Sequence, residues 1–315
     1  MTRGIFDELT ISFLAAIVLL IIFGCHFGRF DLTHRLGNAS FSLVGFKSVK
    51  FIAQKLGYRH VMKFIIQKLG YRRTMNTTLD SRPTAKAVDA LRKANPGALH
   101  CTVCSTVERS FRTGGVGKGR PNAMCPKCGS LERHRLLWLH LFDQIWHHLP
   151  DHKKDILHIA PEPFFIENLK YRPDVNYVSG DLMMSASMAK IDLTDIQFWD
   201  NQFDLIICSH VLEHIPDDIS AMREMTRVLR PGGILLVMVP TYGEKTYEDF
   251  SITSPEERIK HFGQDDHVRK YGRDIKDRLE STGLSMRFWP EGNDLDPNIM
   301  KFINCGSRQV VECRK

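Results

Sequence analysis

The chain has 315 residues, 43% of them hydrophobic and 25% charged, and a net charge of +7. That balance excludes a globally disordered chain, and the length suits about two domains. The charge excess is local: residues 26–75 hold ten Lys and Arg against one acid, Asp31, so it says little about what the rest of the chain binds.

The first predicted element is apolar. Residues 9–25 (LTISFLAAIVLLIIFGC) carry no charge over 17 positions. At about 1.5 Å per residue such a helix extends about 25 Å, slightly short of a hydrocarbon core; Phe27 and local thinning of the bilayer would cover the shortfall. We therefore expect an N-terminal tail, 1–8, and a single-pass transmembrane anchor, 9–27. A cleaved signal peptide is one alternative, although Arg3 is opposed by Asp7 and Glu8; a buried helix is another. Because the positive charge follows the span, the positive-inside rule puts the N-terminus outside and the C-terminal bulk in the cytoplasm.

A basic segment, 28–98, comes next. It contains a tandem repeat: KFIAQKLGYRHVM (50–62) is followed by KFIIQKLGYRRTM (63–75), with ten of thirteen positions identical. Two copies are too few for a solenoid. The mixture of Phe, Ile, Leu and Tyr with Lys and Arg suits a helix lying on an anionic membrane surface, while Gly57 and Gly70 weaken a continuous helix. A duplicated spacer is the alternative. Residues 77–96 read as linker with one short helix.

Residues 99–130 read as a zinc ribbon. Cys101-x-x-Cys104 is followed after twenty residues by Cys125-Pro-Lys-Cys128-Gly129, a spacing that fits four thiolates around one ion. A closed tetrahedron of four thiolates leaves no position for a reacting water, so the zinc is expected to be structural. Two disulfides or a redox pair are the rival readings. Cys25, Cys208, Cys305 and Cys313 show no pairing pattern and read as apolar residues. Arg109, Arg112, Lys118, Arg120 and Lys127 keep nucleic-acid binding open, but Gly114, Gly115, Gly117 and Gly119 favour a solvated basic loop. A connecting helix is predicted over 131–150.

The remaining segment, 151–315, alternates apolar runs with helical patterns. Runs at 156–160, 175–180, 191–193, 203–207 and 234–239 predict five strands. Helical spacing is clearest in Ile219, Met222, Met225, Val228 and Leu229, ahead of the breaker Pro231-Gly232-Gly233. Unbroken apolar strands separated by helices predict an α/β fold, a Rossmann-like doubly wound sheet with ligands over the carboxyl ends of its strands.

The wording FDLIICSHVLEHIPD followed by a helix and VLRPGG resembles a class I S-adenosylmethionine-dependent methyltransferase. The likeness extends to a subfamily in which a ribbon ending CPKCGSLERHRLLWL precedes a domain opening ILHIAPEP. It covers 101–284 and not the apolar span or the repeat. It implies S-adenosyl-L-methionine as cofactor and methyl transfer as the reaction, without naming the acceptor.

The same resemblance implies site residues. The loop after the first strand is glycine-rich in such enzymes and holds the methionine end of the cofactor; here His158, Ala160, Pro161, Glu162 and Pro163 stand there. The absence of Gly-x-Gly argues against a dinucleotide. Glu162 is expected to pair with the cofactor's ammonium, or else to be a solvent-facing turn residue. Asp181 falls where an acid accepts from both ribose hydroxyls, unless it only caps the next helix. Asp192 falls at the adenine, and Ser209 and His210 near the sulfonium. His210 and His214 are the candidate bases, with pKa values suited to neutral pH, and Glu213 would orient a histidine. His261, His267, Arg269 and Tyr271 read as a lid or acceptor pocket.

Three functions follow. The first is a membrane-anchored methyltransferase, its catalytic domain cytoplasmic, acting at an O or N of a small-molecule, glycan or lipid-linked acceptor. The second is a methyltransferase whose ribbon recruits RNA or protein. The third is an inactive methyltransferase-like binding module, suggested by the missing glycines.

Overall fold

The structure, a computed structural model, describes residues 83–315 apart from 117–118 and 184–186. These residues belong to one compact unit, Ser81–Lys315. The apolar run 9–27 and the repeat lie outside the described residues. The expected single-pass placement, N-terminus outside and catalytic domain cytoplasmic, is not borne out: among the described residues no helix is long and apolar enough to cross a membrane.

A helix, α1 (Ala85–Ala94), is capped by Thr84, whose hydroxyl accepts from Ala87 N–H. Two small hairpins follow, β1 (Leu99–His100) with β2 (Val107–Glu108) and β3 (Arg112–Gly114) with β4 (Arg120–Met124). Helix α2 (Glu132–His140) runs on into one π turn, Leu141–Ile145, and a 3-10 turn, Trp146–His148. Then come β5 (Lys154–Ile159), α3 (Pro163–Leu169), β6 (Val175–Asp181), β7 (Ala189–Lys190), β8 (Phe203–Ser209), α4 (Asp218–Val228), β9 (Leu229–Met238), β10 (Tyr247–Glu248), α5 (Pro255–Phe262), β11 (Arg269–Lys270), α6 (Ile275–Glu280), β12 (Ser285–Trp289), α7 (Pro297–Phe302) and β13 (Val310–Arg314).

Seven strands form the central sheet in the order β12-β13-β9-β8-β5-β6-β7. Strands β5 to β9 are parallel, and β13 runs antiparallel to both its neighbours. The chain leaves β5 toward one edge and returns to β8 on the other side of β5, so the order reverses between these two strands. Ligands of such sheets bind at that point, beyond the carboxyl ends of the strands.

Alternation along the strands sorts the core into two layers. Ile156, Leu205 and Leu236 pack with Leu136, Leu139, Phe165 and Leu169 on one face. Their neighbours Leu157, Ile206 and Leu235 pack with Met222, Met225 and Leu279 on the other. Both faces are covered, as the unbroken apolar runs require.

Three elements differ from expectation. The third strand is Ala189–Lys190 and not 191–193, because Ile191 turns inward and fills the space above Gly180, where an added Cβ would meet its side chain at 2.0 Å. Pro231-Gly232-Gly233 lies inside β9 rather than before it: Gly232 N–H donates to Lys315 C=O, and Lys315 N–H donates to Gly233 C=O. Strands β12 and β13 were not read from the sequence at all.

Candidate active site and metal centre

The two strand ends flanking the reversal share an uncommon backbone conformation. Ala160, directly after β5, has φ +46°, and His210, directly after β8, has φ +57°. An L-residue in the left-handed region costs roughly 1–2 kcal/mol, and such strain concentrates at functional sites. Both residues are tied down: Ala160 N–H donates to Gly180 C=O at 2.8 Å, and His210 N–H to Met238 C=O at 2.7 Å. Ala160 thus adopts the turn that a glycine would adopt freely.

Glu162 is the N-cap residue of α3, and it neither faces solvent nor stands unpaired. Its Oε2 lies 3.1 Å from Nε2 of fully buried His158, and its Oε1 lies 3.2 Å from Nε2 of His134, which comes from α2. Leu131 N–H donates to His134 Nδ1, which leaves the His134 proton on Nε2, facing the carboxylate. Tyr177 Oη stands 2.9 Å from His158 Nδ1. Burial pushes the Tyr177 phenol up, with Glu162 adding to the effect, so the hydroxyl keeps its proton and donates. His158 then donates through Nε2 to Glu162. Burial disfavours the Glu162 carboxylate, but His134 and His158 more than offset this and hold it well below the usual carboxylate range.

Asp181 ends β6. Its Oδ1 accepts from Met183 N–H at 2.7 Å. Asp192 is exposed and accepts from Thr194 N–H and Oγ1, bonds that lower its pKa. Ser209 ends β8, and its buried Oγ has no partner among the described residues.

Beyond β8, His210 Nδ1 lies 3.0 Å from Glu213 Oε1, so the carboxylate orients this ring. Glu213 is 1% exposed, and its Oε2 has no hydrogen-bond partner among the described residues. His214 Nδ1 lies 3.2 Å from Asp266 Oδ2, and its ring meets that of His267 edge-on at 4.6 Å. Burial lowers the His267 pKa, keeping its imidazole neutral.

His210, Glu213, His214 and His267 line a cleft of ≈ 870 Å³. One wall comes from the β3–β4 hairpin and the start of α2 (Gly115, Val116, Arg120, Leu131, Arg133), the rest from 238–244, 262–264, His267, Arg273 and 307–309. Arg133 Nε is buried without a partner among the described residues.

Within the predicted lid, only His267 lines this cleft. Arg269 is 1% exposed and works as a pin, donating to the carbonyls of Leu212, Ile215 and Pro216 and to Glu248. Tyr271 is buried and donates to Asp218. His261 pairs with Tyr247 and Glu257.

Cys101, Cys104, Cys125 and Cys128 converge, their sulfurs all within 4.8 Å of one another. Cys101–Cys128 and Cys104–Cys125 are each 3.6 Å apart, against about 2.05 Å for a disulfide. Four sulfurs at about 2.3 Å from one zinc lie about 3.8 Å from each other, so the spacing fits that ion. Cys208, Cys305 and Cys313 are free and buried, and burial pushes the Cys305 thiol up to about 12.

Sequence reading missed His134, Arg133 and the pinning role of Arg269. The LERHR segment that supplies the first two read as the start of a connecting helix, and nothing in its pattern marks His134 as meeting Glu162 or Arg133 as lining the cleft.

With this geometry in place, comparison with known proteins defines the class. A family profile described as a methyltransferase domain matches residues 144–237. The chain therefore carries a methyltransferase domain, and the sheet described above is Rossmann-like and mostly parallel. Among curated relatives, a demethylmenaquinone methyltransferase of Staphylococcus carnosus is 38% identical over 56 residues, 18% of this chain and 23% of that protein. A ubiquinone/menaquinone biosynthesis C-methyltransferase of Bdellovibrio bacteriovorus is 32% identical over 66 residues, 19% of this chain and 28% of that protein. The matches thus span about a quarter of the length of these relatives. Among solved structures, a methyltransferase of Mesorhizobium loti aligns over 54% of this chain and 95% of its own, at 13% identity and TM-score 0.37. One from Bacillus halodurans aligns over 53% and 94%, at 16% identity and TM-score 0.34.

Proposed function

We propose that this chain is an S-adenosylmethionine-dependent methyltransferase acting at an O or N of a small, polar acceptor, and that a zinc ion held by Cys101, Cys104, Cys125 and Cys128 braces one wall of the acceptor cleft. The observation that carries this reading is the pair of left-handed residues, Ala160 and His210, at the two strand ends flanking the reversal of strand order. Ala160 in the conformation of a glycine weakens the objection that the first loop lacks glycines, and with it the inactive-module alternative.

When bound, the cofactor supplies an activated methyl group, so the protein's task is alignment. Asp181 would accept from the ribose hydroxyls and Asp192 would stand at the adenine. Glu162, with His134 and His158 already on its oxygens, serves better as the post that shapes the loop than as a partner for an ammonium. Arg133 supplies a cation for the cofactor's carboxylate. Ser209 offers an unused hydroxyl beside the reacting centre. His210, held through Nδ1 by Glu213, presents Nε2 as the atom that takes a proton from an acceptor hydroxyl or amine.

The cleft volume of ≈ 870 Å³ is that of a small-molecule site. Its polar lining, with His210, Glu213, His214 and His267 on one wall, favours a hydroxyl-rich acceptor over the apolar quinone rings implied by the relatives' names. Calorimetry of S-adenosylmethionine binding tests the reading. Asp181→Ala should weaken affinity about 10- to 100-fold, the loss of one or two hydrogen bonds to a charged group, with an unchanged melt. Unchanged affinity would remove Asp181 from the cofactor site.

A further inference from the structure

We propose that Glu213, His214 and His267 form a second divalent-metal site on the wall of the acceptor cleft, whose open positions take an oxygen-rich acceptor. Two imidazoles and one carboxylate each offer a donor atom, all within 4.8 Å of one another. Two of the three groups are more than nine-tenths buried and carry an atom that no described residue satisfies: Glu213 Oε2 and His267 Nε2, on side chains 1% and 4% exposed. Buried polar atoms in folded proteins are nearly always paired, so two orphans beside one another mark a missing partner. A single cation answers both.

The surroundings match what metal ligands need. A ligating histidine commonly gives its other ring N–H to a carboxylate; His214 Nδ1 faces Asp266 at 3.2 Å, which leaves Nε2 as its donor atom. The other oxygen of Glu213 is held by His210 at 3.0 Å. The two segments that supply the ligands are stitched together: Val268 N–H donates to Glu213 C=O at 2.9 Å, and Arg269 grips the carbonyls of Leu212 and Pro216. A metal at about 2.1 Å from each donor would draw the donors to about 3–3.5 Å apart, a closure within the reach of side-chain rotation, with His214 the most exposed of the three. Three protein ligands leave coordination positions open toward the cleft, and the imidazole-rich set suits zinc, cobalt or nickel better than magnesium. Metal binding stands independently of methyl transfer, whereas the acceptor class rests on reading the cleft as the acceptor site.

Cobalt titration of the full chain tests this, after the four-cysteine site has been filled with zinc and the stoichiometry fixed by elemental analysis. Wild type should bind one further equivalent of cobalt, seen in its visible absorption. Glu213→Gln and His267→Gln should lose that equivalent while keeping the cysteine-bound zinc and a wild-type melt. If either fails to fold, His214→Gln, at a partly exposed position, replaces it. Acetohydroxamate, a small bidentate oxygen chelator, should shift the absorption of this cobalt while the metal stays bound through gel filtration. No second equivalent at millimolar cobalt, or its survival in all the variants, overturns the site. Binding without any acetohydroxamate shift overturns the open positions and the acceptor class. Neither result bears on S-adenosylmethionine binding, which calorimetry reads separately.

Discussion

Arg135 decides whether ribbon and sheet melt as one body. It is fully buried, and it bridges the two without a carboxylate: Nε donates to Ile303 C=O at 2.7 Å, Nη1 to Ala123 and Ser130 C=O at 2.9 and 3.2 Å, and Nη2 to Asn304 C=O at 3.3 Å. Its guanidinium also sits 5.0 Å over the Phe111 ring. Arg135→Met strips donors from four carbonyls. Hydrogen bonds to a charged group contribute roughly 1.5–3 kcal/mol each, but they do not add, and removing the buried charge relieves a desolvation penalty of several kcal/mol. The net loss should be about 3–4 kcal/mol, within the range of severe single substitutions. At a urea slope near the upper end for small proteins, about 3 kcal/mol per M, the midpoint falls by about 1 M. Four thiolates around a zinc ion carry a net charge of −2, and Arg135 lies within electrostatic reach of Cys101 and Cys125. The loss should therefore be larger in metal-loaded than in metal-stripped protein. Urea unfolding followed by tryptophan fluorescence measures both. A midpoint within about 0.3 M of wild type, or an equal loss with and without metal, would refute the reasoning.

Two further outcomes follow from the same structure. Glu312 lies buried on β13; burial works against its carboxylate, but His140 at 3.2 Å and Arg314 at 2.7 Å hold its pKa at about 2. A depressed carboxylate stabilises above its unfolded value near 4.3 and loses that contribution as pH falls toward 2, an effect on the order of 3 kcal/mol; Glu312→Gln should flatten the stability-versus-pH curve in that window, and an unchanged slope contradicts the assignment. At the first loop, Ala160→Gly should be close to neutral, whereas Ala160→Val places a β-branched residue at positive φ and should cost about 2 kcal/mol or more together with cofactor affinity, which thermal melts and calorimetry compare directly; equal behaviour of the two variants would show that the left-handed turn carries no weight.

How legible this was depended on burial. Strands β5, β6, β8 and β9 announce themselves because a sheet covered on both faces needs continuous apolar runs, and Phe203–Ser209 is buried at every position. Strands β12 and β13 escaped because their runs are broken by charge, Arg287 in one and Glu312 in the other, which pair across the strands at 3.1 Å. The two-residue β7 was lost to Ile191 next to it, whose apolar side chain packs over Gly180. The four cysteines, whose sulfurs converge, were visible from their spacing. The pairing of Glu162 with His134 was not legible, because His134 comes from another element. The conformation of Ala160 was invisible, since alanine carries no signature of positive φ.

The start of α2 links the cysteine cluster to the first loop of the sheet. Ser130 Oγ lies 3.1 Å from Cys101 Sγ and 3.2 Å from Cys128 Sγ, so its position follows the cysteine cluster. The next residue, Leu131, fixes His134 through its N–H, and His134 meets Glu162, which meets His158 and, through it, Tyr177 on β6. Arg133, between Glu132 and His134, faces the cleft. One short turn of chain is thus anchored to sulfur on one side and supports the first loop of the sheet on the other. The ligand crevice of such a sheet lies above its strand ends; here the β3–β4 hairpin and the start of α2 line the cleft, on the same stretch of chain that the cysteines hold.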